Sequence, residues 1–220
     1  MSILAEKELI VCPVHSFCTI QGIQILKNDH NDVLSDSLNQ YIEIINRGNS
    51  WCDGGLRNIH HFYHPNTKNG IMGLSGADNE LHINILKAQK AYRNSSLNDF
   101  FFNIGSALHL IQDLCVPHHS TGYLLRGHNE YENWVLDNYS SFSVFGDARY
   151  DFNDPLEILE HNAQTSIKYT ELIFNASSKN KIEATRDLLG LAQRTTASFL
   201  YLIYKKIIQP DSPPANNLKY

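Results

Sequence analysis

The 220-residue sequence lacks several features that mark common classes of protein. No stretch reaches the roughly 18 consecutive apolar residues that a membrane-spanning helix needs. Lysine and arginine total 18 against 23 aspartates and glutamates, and the resulting net charge of −5 offers no general basic surface for nucleic acid. No segment alternates apolar and polar residues for long enough to predict a sheet. The sequence therefore predicts neither a transmembrane helix nor a β-sheet, and it disfavours a nucleic-acid partner.

Cysteine is also scarce. The four cysteines are Cys12, Cys18, Cys52 and Cys115. None of them forms a CxxC pair or a zinc-knuckle spacing. A chain with 42% hydrophobic residues can fill a core without disulfides, so each cysteine is predicted to be a small buried apolar residue.

Apolar residues recur instead with the period of a helix. The predicted helices cover residues 17–26, 34–45, 81–92, 97–111, 128–138, 155–174 and 182–208. Between Arg47 and Gly76 the pattern gives way to a loop rich in Gly, Asn, His and Pro, and Pro117 is expected to end the helix before it. No repeat or linker divides the chain, which predicts a single all-α domain over residues 1–220.

Histidine is the residue type that stands out, with 11 in the chain. His109 and Asp113 are four residues apart, so both project from one face of a helix. His128 and Glu132 repeat the same spacing, and both pairs fall within 24 residues. His119 lies between the two pairs. Two such pairs so close together indicate a metal site more strongly than either pair alone.

Earlier segments add His15, Asp53 and His61 to these candidates. Imidazole nitrogens and carboxylate oxygens without thiolates form a ligand set found in catalytic zinc sites. A carboxylate can also bridge two metal ions, as it does in two-metal hydrolases. The alternative for any single member is an ion pair or a hydrogen-bonded core histidine, and His60, His64 and His118 fit better as solvated loop residues.

In this order the eight candidates resemble the ligands of the bacterial zinc-dependent phospholipases C, and the likeness spans roughly residues 15–207. The local strings agree with that family. Residues 15–29 resemble its first helix, residues 61–65 its HFxDP loop with His64 in place of the Asp, residues 107–119 its LHYxGDxxxPxH segment, and residues 128–133 its HxxYEN segment. The resemblance implies an all-α, single-domain multi-helix bundle of the type shared with zinc-dependent single-strand nucleases.

The resemblance also implies two to three zinc ions and a ligand set for each. The first ion would be held by Asp53, His61, His109 and Asp113, the second by His119, His128 and Glu132, and the third by Asp113 and His15. In the family the third ion also binds the amino and carbonyl groups of an N-terminal tryptophan, whereas this sequence has no tryptophan before Trp51. Asp53 would be both a ligand and the general base that orients water.

The implied activity is that of a zinc-dependent phosphodiester hydrolase. It would be a phospholipase C that uses metal-activated water to cleave phospholipids, at a membrane surface, to diacylglycerol and a phosphorylated headgroup. A related single-strand nuclease and a non-catalytic zinc- or lipid-binding protein are the alternatives. Gly54 and Asn58 stand where choline-preferring members carry aromatic residues, so the likeness implies no choline preference.

Two further expectations concern the ends of the chain. The sequence closes without the lipid-binding β-sandwich domain that the family's toxins append. Family resemblance implies secretion, but Glu6, Lys7 and Glu8 occupy the stretch where a signal peptide would have its apolar run, which makes a cytoplasmic location the alternative.

Overall fold

A computed structural model describes residues 12–55, 57–123, 127–174 and 178–210, with the backbone alone for 178 and 179. The α-helices of these ranges are α1 (Pro13–Asn28), α2 (Asp32–Gln40), α3 (Ile42–Trp51), α4 (Ala77–Arg93), α5 (Leu97–Asp113), α6 (Pro117–Thr121), α7 (His128–Asn138), α8 (Pro155–Ser166), α9 (Thr170–Phe174) and α10 (Ser178–Ile203). Over these ranges the β-structure amounts to one isolated bridge, between His64 and Asn69. The predicted all-α class is confirmed.

The observed helices follow the predicted segments with two breaks, except for α6 (Pro117–Thr121), which no predicted segment covers. The segment predicted over 34–45 is interrupted at Tyr41, and α3 then continues to Trp51, into the region predicted as loop. The segment predicted over 155–174 is divided by a 3-10 turn at Ile167–Tyr169. Pro117 begins α6 after α5 has ended at Asp113, since a proline in the first turn has no N–H to leave unpaired.

Helix α5 is the centre of the bundle, and α1, α3, α4, α8 and α10 pack around it. Its apolar residues Ile104, Leu108 and Ile111 are almost fully buried. The burial continues to the C-terminal turn, where the side chains are His109, Gln112 and Asp113. Buried polar groups are costly unless they are paired, so this end of the helix must find hydrogen-bond, ionic or metal partners.

Two glycines allow α3 to cross α5 at very short range. A Cβ atom at Gly105 would lie 2.0 Å from the Ile45 carbonyl oxygen, and one at Gly48 would lie 1.9 Å from that of Phe102. Both obstacles are backbone atoms, which cannot move aside cheaply. The close crossing places Asn49 of α3 against the polar end of α5.

The described helices include no candidate membrane span, and both ends of the chain lie outside the described residues. None of the helices in the described ranges combines the length and hydrophobicity that crossing a bilayer requires. The N-terminal stretch considered for a signal peptide lies outside the described residues, and so does the chain after Pro210.

Candidate metal centre

All eight predicted residues meet at the C-terminal end of α5. His15 comes from α1, Asp53 from the turn after α3, His61 from the segment after the 3-10 turn Arg57–His60, His109 and Asp113 from α5, His119 from α6, and His128 and Glu132 from α7. Seven of them line one pocket of about 740 Å³, and His109 is buried behind it. Residues separated by more than 100 positions in sequence therefore share one site.

Asp113 is the hub of the cluster. Its Oδ2 lies 2.8 Å from His61 Nδ1 and 3.1 Å from His109 Nε2, and its Oδ1 lies 3.3 Å from His15 Nε2. Burial alone would raise the pKa of Asp113, but the charges of the neighbouring histidines hold it well below its usual range. The buried carboxylate is therefore ionised at neutral pH.

The second group lies between α6 and α7. Glu132 Oε1 is 2.8 Å from His128 Nε2 and 3.5 Å from His119 Nε2, and the two imidazole nitrogens are 3.3 Å apart. Burial opposes ionisation of Glu132, but His119 and His128 outweigh it and lower its pKa to about 2. His119 also stacks on Phe62, with ring centroids 5.1 Å apart, which fixes the plane of its imidazole.

Asp53 differs from Asp113 because it faces solvent. Its side chain is 49% exposed, and its Oδ1 lies 3.4 Å from the buried His109 Nε2. Asp53, His61 and His109 each offer a ligand atom, and these atoms lie within 4.8 Å of one another. Asp53 thus stands between the buried histidines and the open pocket.

The donor atoms fit divalent cations. Among the described residues, ligand atoms of the eight candidates lie within 4.8 Å of one another in three groups: His15, His109 and Asp113; Asp53, His61 and His109; and His119, His128 and Glu132. The last group contains the residues predicted for the second ion, whereas Asp113 is absent from the group of Asp53 and His61, and His109 is added to the group of His15 and Asp113. His119 Nδ1 is buried without a hydrogen-bond partner, which is rare and needs an explanation, and it lies 3.8 Å from Asp113 Oδ2. Burial lowers the pKa of His109 and so favours the neutral imidazole that binds a metal.

Two residues that sequence reasoning missed hold the histidines in place. Gln112 Oε1 lies 2.8 Å from His15 Nδ1 and 3.0 Å from Asn49 Nδ2, and Asn49 Oδ1 lies 3.1 Å from His109 Nδ1. When the amide oxygens accept from both Nδ1–H groups, the two Nε2 atoms keep their lone pairs for a metal. Gln112 could have been suspected because it immediately precedes Asp113, but nothing in the spacing indicates Asn49.

Two expectations from the sequence are wrong. His118 is fully buried rather than solvated, and its ring lies 4.4 Å from that of Phe174 between centroids. Cys18, Cys52 and Cys115 are buried as predicted, but Cys12 is only half-buried and lines the pocket. The apolar-core assignment therefore holds for three of the four cysteines.

The fold and the site together define a class: an all-helical protein with a histidine- and carboxylate-lined pocket suited to several divalent cations. A family model described as zinc dependent phospholipase C matches residues 14–201. The chain belongs to that zinc-dependent phospholipase C family.

Solved structures agree with this assignment at the level of the fold. Alpha-toxin of Clostridium perfringens, isolated from an avian strain, matches with a TM-score of 0.78 and 18% identity over 93% of this chain. Alpha toxin from Clostridium absonum matches with a TM-score of 0.78 and 17% identity over 90% of it. The chain spans about 66% of the length of each toxin chain. No curated protein sequence matches the chain significantly.

Proposed function

We propose that the protein is a zinc-dependent phospholipase C that hydrolyses the bond between phosphorus and the diacylglycerol oxygen. The observation that carries this proposal is the buried, ionised Asp113 in contact with three histidines, beside the solvent-facing Asp53. A structural zinc site has closed coordination and no need for an exposed carboxylate. The arrangement supports a catalytic rather than a structural role for the metal.

The proposed ligand sets place three zinc ions around Asp113. Asp53, His61, His109 and Asp113 would hold the first, His119, His128 and Glu132 the second, and His15 with Asp113 the third. Bound zinc would supply a Lewis acid that offsets the negative charge of the phosphodiester as it reacts. The ionised carboxylates match this role, because they neutralise much of the charge that three divalent ions would bring into the pocket.

Asp53 is the residue we assign as the general base. Its side chain is 49% exposed while its Oδ1 lies 3.4 Å from His109 Nε2, so it can contact solvent and substrate together. It would take the proton of the water that attacks phosphorus and return it to the departing diacylglycerol oxygen. The buried Asp113 cannot do this, because its oxygens face three histidines and its side chain is only 7% exposed.

The mouth of the pocket favours a lipid as the substrate. Ile59 and Leu136 line it and are each about 40% exposed. Ile71 also lines it, and the next residue, Met72, is 94% exposed. No lysine or arginine is found among the described residues that line the pocket, whereas a nuclease benefits from cationic contacts along a polyanion. Exposed apolar residues around a pocket whose described lining has no lysine or arginine suit the surface of a membrane.

The test is product analysis on vesicles of phosphatidylcholine, phosphatidylethanolamine and phosphatidylinositol in water labelled with oxygen-18. Attack on phosphorus predicts diacylglycerol without label and a phosphorylated headgroup with one labelled oxygen. Release of phosphatidic acid would indicate cleavage on the other side of phosphorus and would refute the assignment. Hydrolysis of single-stranded DNA with no action on vesicles would favour the nuclease alternative.

A further inference from the structure

The ligand set proposed for the third ion, His15 with Asp113, has fewer side chains than the other two, because His109 of the same group is assigned to the first ion. His15 Nε2 and Asp113 Oδ1 face each other at 3.3 Å, but catalytic zinc usually takes three protein ligands. His15 Nδ1 is already engaged by Gln112, so the imidazole can offer one nitrogen only. A further ligand is needed at this end of the cluster.

Cys12 lies where that ligand is needed. Its Sγ forms a group with ligand atoms of His15 and Asp53, all within 4.8 Å of one another. The residue lines the pocket beside the metal-binding side chains and forms no disulfide. Cys12 is thus one member of a cysteine–histidine–aspartate cluster, not an isolated thiol.

The backbone of Cys12 is held in place from both sides. Its N–H donates to Ser50 Oγ at 3.0 Å, which ties it to α3 next to the Asn49 that orients His109. Pro13 begins α1 and restricts the preceding residue to extended conformations, and Cys12 has a ψ of 116°.

We propose that Cys12 is a ligand of the third metal ion, with His15, Asp53 and Asp113 as its neighbours in that site. This inference rests on the proposed metal centre and extends it to a mixed sulfur, nitrogen and oxygen site. The thiol proton is released to solvent as the sulfur binds the metal. The thiolate adds a negative charge and a softer ligand, so this site should prefer zinc, cobalt or cadmium to magnesium.

Cobalt(II) substitution tests the proposal without any measurement of activity. The cobalt-loaded protein should show the near-ultraviolet charge-transfer band of a cobalt–thiolate bond, and Cys12→Ser should lose that band together with about one bound ion per chain. Cys18→Ala is the matched control, since Cys18 also lines the pocket but is buried and belongs to no ligand group. The control should keep both the band and the ion. A wild-type protein that binds cobalt without the band would overturn the proposal, as would a Cys12→Ser variant that keeps every ion.

Alkylation by iodoacetamide gives a second readout on the wild-type chain. Cys18, Cys52 and Cys115 are at most 4% exposed, so the metal-free protein should be labelled mainly at Cys12. Zinc should slow that labelling at least tenfold, as mapped by peptide mass spectrometry. Equal rates with and without zinc would contradict a bond to Cys12. Because neither experiment uses a lipid, failure of phospholipase activity with the cobalt band present would refute the proposed function and leave this site intact.

Discussion

Gln112 provides the sharpest test of how the protein orients the histidines proposed to bind metal. Gln112→Met has nearly the same shape but removes the oxygen that accepts from His15 Nδ1 and Asn49 Nδ2. Asn49 then has one anchor fewer with which to orient His109. Removing an outer-shell partner of this kind typically lowers metal affinity 10- to 100-fold, or about 1.4 to 2.7 kcal/mol.

The same substitution should also destabilise the metal-free fold. Gln112 and Asn49 are almost fully buried, and Gln112 Nε2 donates to Thr196 Oγ1 at 3.0 Å. A buried polar group left without its partner costs about 1 to 3 kcal/mol. The free energy of unfolding of Gln112→Met should therefore be lower than that of the wild type by an amount in this range. Urea titration of the metal-free protein measures this quantity.

The assay for metal binding is competition for zinc with a chromogenic chelator. Gln112→Glu is the matched control, because its carboxylate still accepts from both donors and adds a negative charge near the site. It should bind zinc at least as tightly as the wild type, whereas Gln112→Met should bind it more weakly. Equal affinities for all three proteins, or equal losses in the two variants, would refute the proposed role of the amide oxygen.

Three further predictions concern the base, the pH dependence and the fold. Asp53→Asn should keep most of the zinc but lower kcat by about 100- to 10,000-fold; loss of activity in proportion to zinc would make Asp53 a ligand only. Burial lowers the pKa of His15 and His119, but neighbouring carboxylates raise it by more. Protons therefore compete with zinc for these histidines, and the zinc affinity measured by chelator competition should fall as the pH drops from 8 to 6. A zinc affinity that does not change with pH would contradict this. Gly105→Ala should destabilise the fold by about 1 to 3 kcal/mol in urea titrations because its Cβ meets the Ile45 carbonyl, and an unchanged midpoint would refute that close crossing.

The pattern of the sequence was sufficient for most of the longer helices because each of these has an apolar face of helical period, whereas the five-residue α6 was not predicted. Helix α7 begins and ends where it was predicted, at His128 and Asn138. The break at Tyr41 could not be predicted in the same way, because the apolar spacing continues through it. There the chain follows tertiary packing, with the Tyr41 ring stacked on Phe101 at 4.1 Å between centroids.

Four candidate ligands were accessible to sequence reasoning because His-xxx-carboxylate spacing places both groups of a pair on one helical face, and the other four were assigned by resemblance to the family. Cys12 and Asn49 were not, since each reaches the site through a tertiary contact: Cys12 through Ser50, and Asn49 through the glycine-mediated crossing of α3 and α5. His118 was misassigned for a related reason, because its burial depends on Phe174, more than 50 residues away. Side chains that depend on distant elements leave no local pattern to read.

The proposed function requires that zinc held around Asp113 makes this chain a phospholipid hydrolase. Release of phosphorylated headgroup from phospholipid vesicles can be measured for the zinc-loaded protein, the chelated protein and Asp113→Asn. We expect release by the zinc-loaded wild type, loss of release on chelation, recovery when zinc is restored, and an inactive Asp113→Asn variant that has lost more than one equivalent of zinc. Release that persists after chelation, or an Asp113→Asn variant with full zinc and full activity, would contradict the proposed function.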